Sequence, residues 1–198
     1  SRPPGTGRAP WRVRTTPPAD AQLRAVRQLD TGGTVRRYVP TTGVSRYYLS
    51  PTERDLSAAG FELLATAYNR LAAGEFEGEQ RAPGRAVRAV AGESAESESV
   101  AVEEITAILR KHTRGFGLLE DLFADPTVSD VFVTAPAPTN WLRVTANGET
   151  CQTNIRLTSG GIEALSSRFR RESGRAFSRA DPTLDATATV AGRQVRVA

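Results

Sequence analysis

The sequence predicts an α+β protein with antiparallel sheets, helices packed on one face and two small subdomains. Short runs of β-branched and aromatic residues are bounded by turn residues, and longer segments repeat apolar residues at helical spacing. A small, acidic Ser/Glu stretch at 91–99 has the composition of a linker, so we expect it to separate a subdomain at 21–90 from one at 100–198. The 39% hydrophobic and 24% charged residues are typical of a globular protein.

Residues 1–20 are predicted to be a disordered, basic, Pro-rich arm. They contain five prolines among small and basic residues, which cannot bury enough apolar surface to offset the entropy of ordering. The two runs of β-formers that follow, 34–39 and 44–49, flank a Pro-Thr-Thr-Gly segment. This pattern predicts a hairpin.

Two helices are predicted in the middle of the chain. Ser50 as an N-cap and a proline at the next position precede apolar residues at helical spacing, which predicts a helix over about Pro51–Ala73. The second helix covers 102–112, where Val, Ile and Leu recur on one face, and Gly115 follows its end.

The last third of the chain alternates strands, turns and one helix. The apolar run 128–133 predicts a strand, and the Asn-Gly dipeptide at 147–148 is the strongest hairpin signal in the sequence. Thr158 or Ser159 caps a third predicted helix, which Gly174 ends. A hairpin with Ala-Gly at its turn is predicted over 184–197.

The residue inventory excludes several self-contained kinds of catalytic site. His112 is the only histidine, Cys151 the only cysteine and Lys111 the only lysine. A histidine metal cluster therefore cannot form, and Lys111 is not part of a phosphate-binding Gly-x-x-x-x-Gly-Lys loop. The acid pairs at 103–104 and 120–121 are expected to lie on solvated helix faces. We expect no metal, no cofactor and no catalysis by this chain alone.

The basic residues are concentrated near the start. Residues 1–47 hold nine arginines and two aspartates, a pattern that attracts nucleic acid, an anionic membrane or an acidic protein. Three tyrosines lie among these arginines at Tyr38, Tyr47 and Tyr48, so an alternative function is nucleic-acid binding, with Arg36, Arg37 and Arg46 on phosphates and the rings on bases. A solvated tail or a scaffold that binds protein partners also fits this pattern.

Two parts of the sequence carry a more specific pattern. Residues 115–133 combine a Gly-Phe-Gly turn, a leucine pair, an Asp-Pro and an apolar strand. Residues 175–186 and 192–196 place a proline, a strand and a Gly-Arg hairpin in that order. Both parts resemble the N-terminal domain of the type II/type IV secretion ATPases, which include pilus and archaellum motors. The phrase at 109–117 most resembles archaeal members.

The resemblance covers residues 100–198 well and 34–76 loosely. It implies a cytoplasmic hexameric ring, peripheral to the inner face of the cell membrane. In that family the C-terminal half carries the Walker motifs, binds ATP and Mg²⁺ and hydrolyses ATP. The N-terminal half closes over the nucleotide and transmits its motion to a membrane platform protein. Because this sequence reaches Ala198 without a Walker motif, we expect it to be the regulatory half, with the ATPase domain as its partner.

The resemblance also implies which arginines face the nucleotide in the parent protein. Arg193 follows the glycine of the hairpin, although the sequence there is Val-Ala-Gly-Arg-Gln where the family usually has Asp-Gly-Ser-Arg. A guanidinium on a rigid hairpin offers fork-like donors to phosphate oxygens. Arg175, Arg179 and Arg196 are the further candidates. The alternative is that Arg193 is an ordinary surface arginine.

Overall fold

A computed structural model describes residues 10–78, 80–93, 101–134, 136–173 and 186–197. Helices and strands are mixed along these ranges, which confirms the predicted α+β class. The strands are β1 Trp11–Val13, β2 Ala21–Gln28, β3 Thr34–Pro40, β4 Arg46–Ser50, β5 Val128–Phe132, β6 Arg143–Ala146, β7 Glu149–Thr153, β8 Ile155–Leu157, β9 Ala186–Val190 and β10 Arg193–Val197. The helices are α1 Ala58–Ala72, α2 Ala82–Glu93, α3 Val102–Thr113, α4 Leu118–Ala124 and α5 Ser159–Ser173.

Six strands form the main sheet, in the order β2-β3-β4-β7-β6-β5. Four of its five neighbouring pairs are antiparallel, and the exception is the parallel pair of β4 with β7, in which Tyr47 lies opposite Thr153. The prediction of antiparallel sheets is thus corrected at this one pair. A parallel pair needs a long crossover, and the chain between β4 and β7 supplies it. Two antiparallel ribbons, β1 with β8 and β9 with β10, complete the strand pairing of the described residues.

The predicted hairpins are confirmed, including β3–β4. Asn147 and Gly148 have φ angles of 52° and 77°, and Ala191 and Gly192 have φ angles of 49° and 75°. Two successive positive φ angles are typical of the two-residue type I′ turn, whose twist matches that of the flanking strands. The turn chemistry therefore sets the register of β6–β7 and of β9–β10.

The chain forms two compact units, one containing 1–50 and 121–198 and the other 51–120. The predicted boundary at 91–99 lies inside the second unit. The apolar faces of α1, α2 and α3 form one core there, made by Leu63, Ala67, Ala86, Val87, Val90, Ile105 and Leu109. The segment 91–99 therefore does not separate two units, because the helices on either side of it bury their apolar faces together.

The helix predicted over Pro51–Ala73 is interrupted. A 3₁₀ turn covers Thr52–Asp55, the chain extends at Leu56, and α1 begins after Ser57. The Ser57 hydroxyl accepts a hydrogen bond from the Gly60 amide at 3.1 Å, which satisfies one of the free donors at the helix start. The predicted end of the helix is correct to within one residue.

Three of the elements that the sequence did not predict are strands β1 and β2 and helix α2. Strand β1 lies within the arm expected to be disordered over 1–20, and its pairing with β8 corrects that expectation for residues 11–13. Strand β2 pairs with β3 at the edge of the sheet and exposes Leu23 and Val26. Its sequence therefore lacks the alternation of buried apolar and exposed polar residues by which a strand is usually recognised. Helix α2 is the third, and it includes 91–93 of the predicted linker. Residues 1–9 and 94–99 lie outside the described residues.

The third predicted helix is confirmed as α5. The Thr158 hydroxyl accepts a hydrogen bond from the Gly161 amide at 3.1 Å, so Thr158 is the cap. The Thr158 amide donates to the Pro10 carbonyl at 3.0 Å. The glycine expected to end this helix, Gly174, lies outside the described residues.

Candidate functional site

The Gly-Phe-Gly turn before α4 depends on glycine. A Cβ at Gly115 would meet the Lys111 carbonyl at 2.8 Å and the Glu120 carboxylate at 2.9 Å, so no larger residue fits without movement. Gly117 has a φ of 59°, in the left-handed region. Glu120 Oε1 accepts a hydrogen bond from the Phe116 amide at 3.1 Å. The turn therefore fixes where α4 begins.

Helix α4 is more buried than its sequence suggested. The leucine pair of the motif is buried, as are Leu122 and Phe123. Asp121 is fully buried, which corrects the expectation that the acid pair at 120–121 lies on a solvated face. The helix is only seven residues long, so these buried side chains, and not helix propensity, hold it in place.

Asp125 organises the turn that follows α4. Its Oδ1 accepts hydrogen bonds from the Thr127 amide at 2.9 Å and from the Thr127 hydroxyl at 2.8 Å. Its Oδ2 accepts one from the Tyr47 hydroxyl at 2.9 Å, and Arg27 Nε lies 3.6 Å from Oδ1. Burial of the Tyr47 ring and the neighbouring carboxylate both raise the pKa of Tyr47. Tyr47 therefore stays a protonated hydrogen-bond donor.

Arg193 binds the backbone of this same turn. Its Nη1 donates to the carbonyl of Val128 at 2.7 Å, with longer contacts to those of Phe123 at 3.2 Å and Asp125 at 3.4 Å. Its guanidinium carbon lies 5.8 Å from the centroid of the Phe123 ring. These carbonyls belong to the end of α4 and the start of β5, where backbone acceptors lack helical partners. Arg193 therefore joins the β9–β10 hairpin to the α4–β5 turn.

The other predicted arginines are not brought to this place by the described residues. The backbone of Arg196 pairs with Thr187 in the hairpin, and nothing further is described of its side chain. Arg175 and Arg179 lie outside the described residues. Of the four candidates, Arg193 alone has a described side-chain environment.

The aromatic residues of the nucleic-acid hypothesis are buried. Tyr47 is fully buried and bonded to Asp125, and Tyr38 and Tyr48 are each 8% exposed. The rings of Tyr38 and Tyr48 pack edge to face with centroids 5.4 Å apart. A base cannot stack on rings in this state, so this part of the hypothesis is wrong. Tyrosine on strands is also typical of a sheet core, and all three tyrosines are buried here.

Cys151 and His112 both have structural environments. Cys151 is fully buried in β7, and burial raises the pKa of its thiol, although Arg37 Nη2 lies 3.3 Å from the sulfur. Such a thiol is not an activated nucleophile. His112 Nε2 lies 2.5 Å from Glu53 Oε1. Among the described residues no group of three His, Cys, Asp or Glu side chains is arranged to hold a metal ion.

Glu53 is the charged residue that the sequence analysis missed. Burial alone would raise its pKa, but the hydrogen bond from His112 and the charge of Lys111, whose Nζ lies 2.8 Å from Oε2, outweigh burial and lower the pKa to about 2. This ion pair joins the 3₁₀ turn to the end of α3. An acid two residues after Pro51 was the available signal, but only the fold brings α3 to it.

The described helices include none that is both long and apolar enough to cross a membrane. Comparison with protein-family models and with curated proteins finds no match to this chain.

Proposed function

We propose that this chain is the N-terminal, regulatory domain of a hexameric secretion or type IV pilus assembly ATPase. In this role it closes over ATP and Mg²⁺ bound by a C-terminal ATPase domain. It then couples hydrolysis to a platform protein at the inner face of the membrane. The proposal rests first on the sequence resemblance of residues 115–133 and 192–196.

One contact supports treating these two segments as a functional pair. They are far apart in sequence, yet Arg193 of the second donates to the Val128 carbonyl of the first at 2.7 Å. Two segments that only followed one another along the chain and lay apart in space would have no such link. The contact connects the last hairpin of the chain to the packed α4–β5 turn, so a force on the hairpin reaches the buried residues of α4.

The contact also changes what Arg193 is expected to do. Its Nη1 is committed to backbone carbonyls, so a phosphate would have to be met by the other edge of the guanidinium. We therefore assign Arg193 first the positioning of the hairpin and second the contact with the nucleotide. Lysine at this position would keep the positive charge but lack the forked N–H donors of arginine, so Arg193→Lys should affect the two roles differently.

The test is to express the longest open reading frame that contains this sequence and to measure its mass by native mass spectrometry and its ATP turnover. A Mg²⁺-dependent ATPase that assembles as a hexamer is the expected result. The 198-residue chain alone serves as the control, and we expect it not to hydrolyse ATP because it lacks a phosphate-binding loop. A reading frame whose product neither binds nor hydrolyses ATP would contradict the proposal.

A further inference from the structure

The β1–β8 ribbon places three arginines on one side. In its register Arg12 lies opposite Arg156, whereas Ile155 and Leu157, the neighbours of Arg156, are buried. Side chains alternate along a strand, so Arg12 and Arg156 share the outer face. Arg14 follows on the same face, because its amide donates to the Asn154 carbonyl at 2.8 Å and continues the pairing.

Two of these arginines contact one aromatic ring. The guanidinium carbon of Arg156 lies 3.7 Å from the centroid of the Trp141 ring, and that of Arg14 lies 4.5 Å from it. The backbone beside the ring is anchored, because Leu142, the next residue, exchanges backbone hydrogen bonds with Thr153 and Ile155 at 2.8 and 2.9 Å. Trp141 thus attracts two guanidiniums by cation–π contact and restrains them at one place.

This arrangement is electrostatically unfavourable on its own. Like charges directly opposite each other across two strands destabilise the pair, and here Arg14 adds a third positive charge. Within the described part of the chain, no acidic side chain forms an ion pair with any of the three. Arg156 Nε is also buried and has no hydrogen-bond partner among the described residues. The cluster therefore combines uncompensated positive charge with an unsatisfied charged donor.

We propose that Arg12, Arg14, Arg156 and Trp141 form a binding site for a phosphoryl group. A phosphate monoester carries a charge of about −1.5 to −2 and three acceptor oxygens, which matches several guanidinium donors better than a single carboxylate does. The contacts with the ring already restrain Arg14 and Arg156, so less side-chain freedom is lost on binding. The group can come from a soluble phosphate or from a phosphatidic acid headgroup. This inference does not depend on the proposed ATPase function.

Tryptophan fluorescence provides a direct measurement. The chain has two tryptophans, Trp11 and Trp141, so in a Trp11→Phe background the emission reports the ring at the site. Inorganic phosphate and pyrophosphate are titrated at constant ionic strength, and vesicles of phosphatidylcholine with and without phosphatidic acid are tested by co-sedimentation. We expect a saturable change in emission with the soluble anions, or co-sedimentation that requires phosphatidic acid, or both.

Matched variants separate a built site from general attraction to a basic protein. Arg156→Ala should weaken binding at least tenfold, and Arg156→Lys should give an intermediate affinity. Arg24→Ala removes the same charge from an exposed position on β2 and should leave affinity within twofold of the parent. Thermal unfolding of each variant shows that it is folded, and Arg14→Ala provides a second test if Arg156→Ala is not.

Three results would overturn the proposal. The first is no saturable response to either source of phosphate. The second is an equal loss of affinity in Arg156→Ala and Arg24→Ala, which would mean that net charge alone attracts the anion. The third is binding of a single-stranded oligonucleotide while phosphate, pyrophosphate and phosphatidic acid vesicles have no effect, since the site would then be a nucleic-acid surface.

Discussion

At the scale of single residues, buried and half-buried polar side chains with several partners stand out among the described residues. Asp125 accepts hydrogen bonds from Thr127 and Tyr47, while Glu53 accepts from Lys111 and His112. A buried charge is tolerated only when such partners offset its lost hydration. The stabilising effect of Asp125 therefore depends on its hydrogen bonds, and that of Glu53 depends on its hydrogen bonds and its charge.

Glu53 should make the stability of residues 51–120 depend on pH in the acid range. Its pKa is about 2 in the folded state, below the ordinary value of 4.5, so its stabilising effect is complete above pH 4.5 and is lost as the pH falls towards 2. Glu53→Gln should lower the free energy of unfolding by about 1–3 kcal/mol at pH 6, with a smaller difference from wild type at pH 3. Urea unfolding at both pH values measures this.

The control for Glu53 is Glu62→Gln, which removes an exposed carboxylate from α1 in the same unit. It should change stability by less than about 0.5 kcal/mol at either pH. A Glu53→Gln difference that stays constant down to pH 2 would show that the carboxylate charge is not what stabilises the fold.

Arg193→Ala should destabilise the unit that contains the main sheet, because the carbonyls of Phe123, Asp125 and Val128 lose a shared donor. We expect a loss of about 1–3 kcal/mol in the free energy of unfolding, compared with a negligible loss for Gln194→Ala at the exposed neighbouring position. An ordinary surface arginine, which is the alternative that the sequence leaves open for Arg193, would lose close to nothing on this change. Equal stability of the two variants would contradict the contact.

The nucleotide role of Arg193 needs a separate measurement in the full-length ATPase, at a temperature where the variant is folded. Loss of one charged donor to the developing phosphate charge should lower turnover about a hundredfold or more. Turnover that falls only as far as the folded fraction does would leave Arg193 with its positioning role alone.

At the scale of elements, the sequence predicted what local chemistry determines. The Asn-Gly turn, the cap at Thr158 and the apolar stripe of α3 were all identified from neighbouring residues. The predictions that failed concern elements whose structure depends on residues far away in the sequence. Strand β2 lacks an alternation of buried apolar and exposed polar residues. The apolar face of α2 is recognisable only in the fold, where Val87 and Val90 share a core with Ile105.

The same limit applies to the candidate site. Arg193 was identified from its place after the hairpin glycine, but its partners were not, because backbone carbonyls leave no trace in a residue pattern. Asp125 had a local signal in the Asp-Pro-Thr sequence, which is typical of a side-chain-capped turn. Its bond to Tyr47 depends on β4, which lies 78 residues earlier in the chain.

The β9–β10 turn offers an element-scale prediction, because Ala191 has a φ of 49° and an L side chain is strained in this region. Ala191→Gly should raise the free energy of unfolding by about 1 kcal/mol, and a rise in Tm measures it. The matched control is Ala21→Gly at the start of β2, which removes the same methyl group from an extended residue and should not stabilise. An unchanged or lowered Tm for Ala191→Gly would contradict the strained turn.

At the scale of the whole molecule, the two units do not follow the order of the chain. The segment 51–120 forms one unit by itself, and the other unit is assembled from the residues before and after it. A cut between α2 and α3 therefore leaves residues of each unit on both fragments. Both halves of the cut chain contribute strands to the main sheet, through β4 and β7.

A variant with a specific protease site in place of residues 95–99 tests this division. After cleavage the two fragments should elute together from a size-exclusion column in native buffer, because both units hold parts of each fragment. They should separate in denaturant. Fragments that separate without denaturant would instead support the boundary predicted from the acidic composition.

The parallel pairing of β4 with β7 also has a consequence during synthesis. About 100 residues lie between the paired segments, so at 5–20 residues per second the ribosome delivers β7 roughly 5–20 s after β4. Until then β2, β3 and β4 form a three-stranded meander, and the edge of β4 that later pairs with β7 has no neighbour. Meanwhile the helices of 51–120 emerge and pack within their own segment. Nascent chains halted before residue 150 should therefore expose a strand edge that a chaperone must cover.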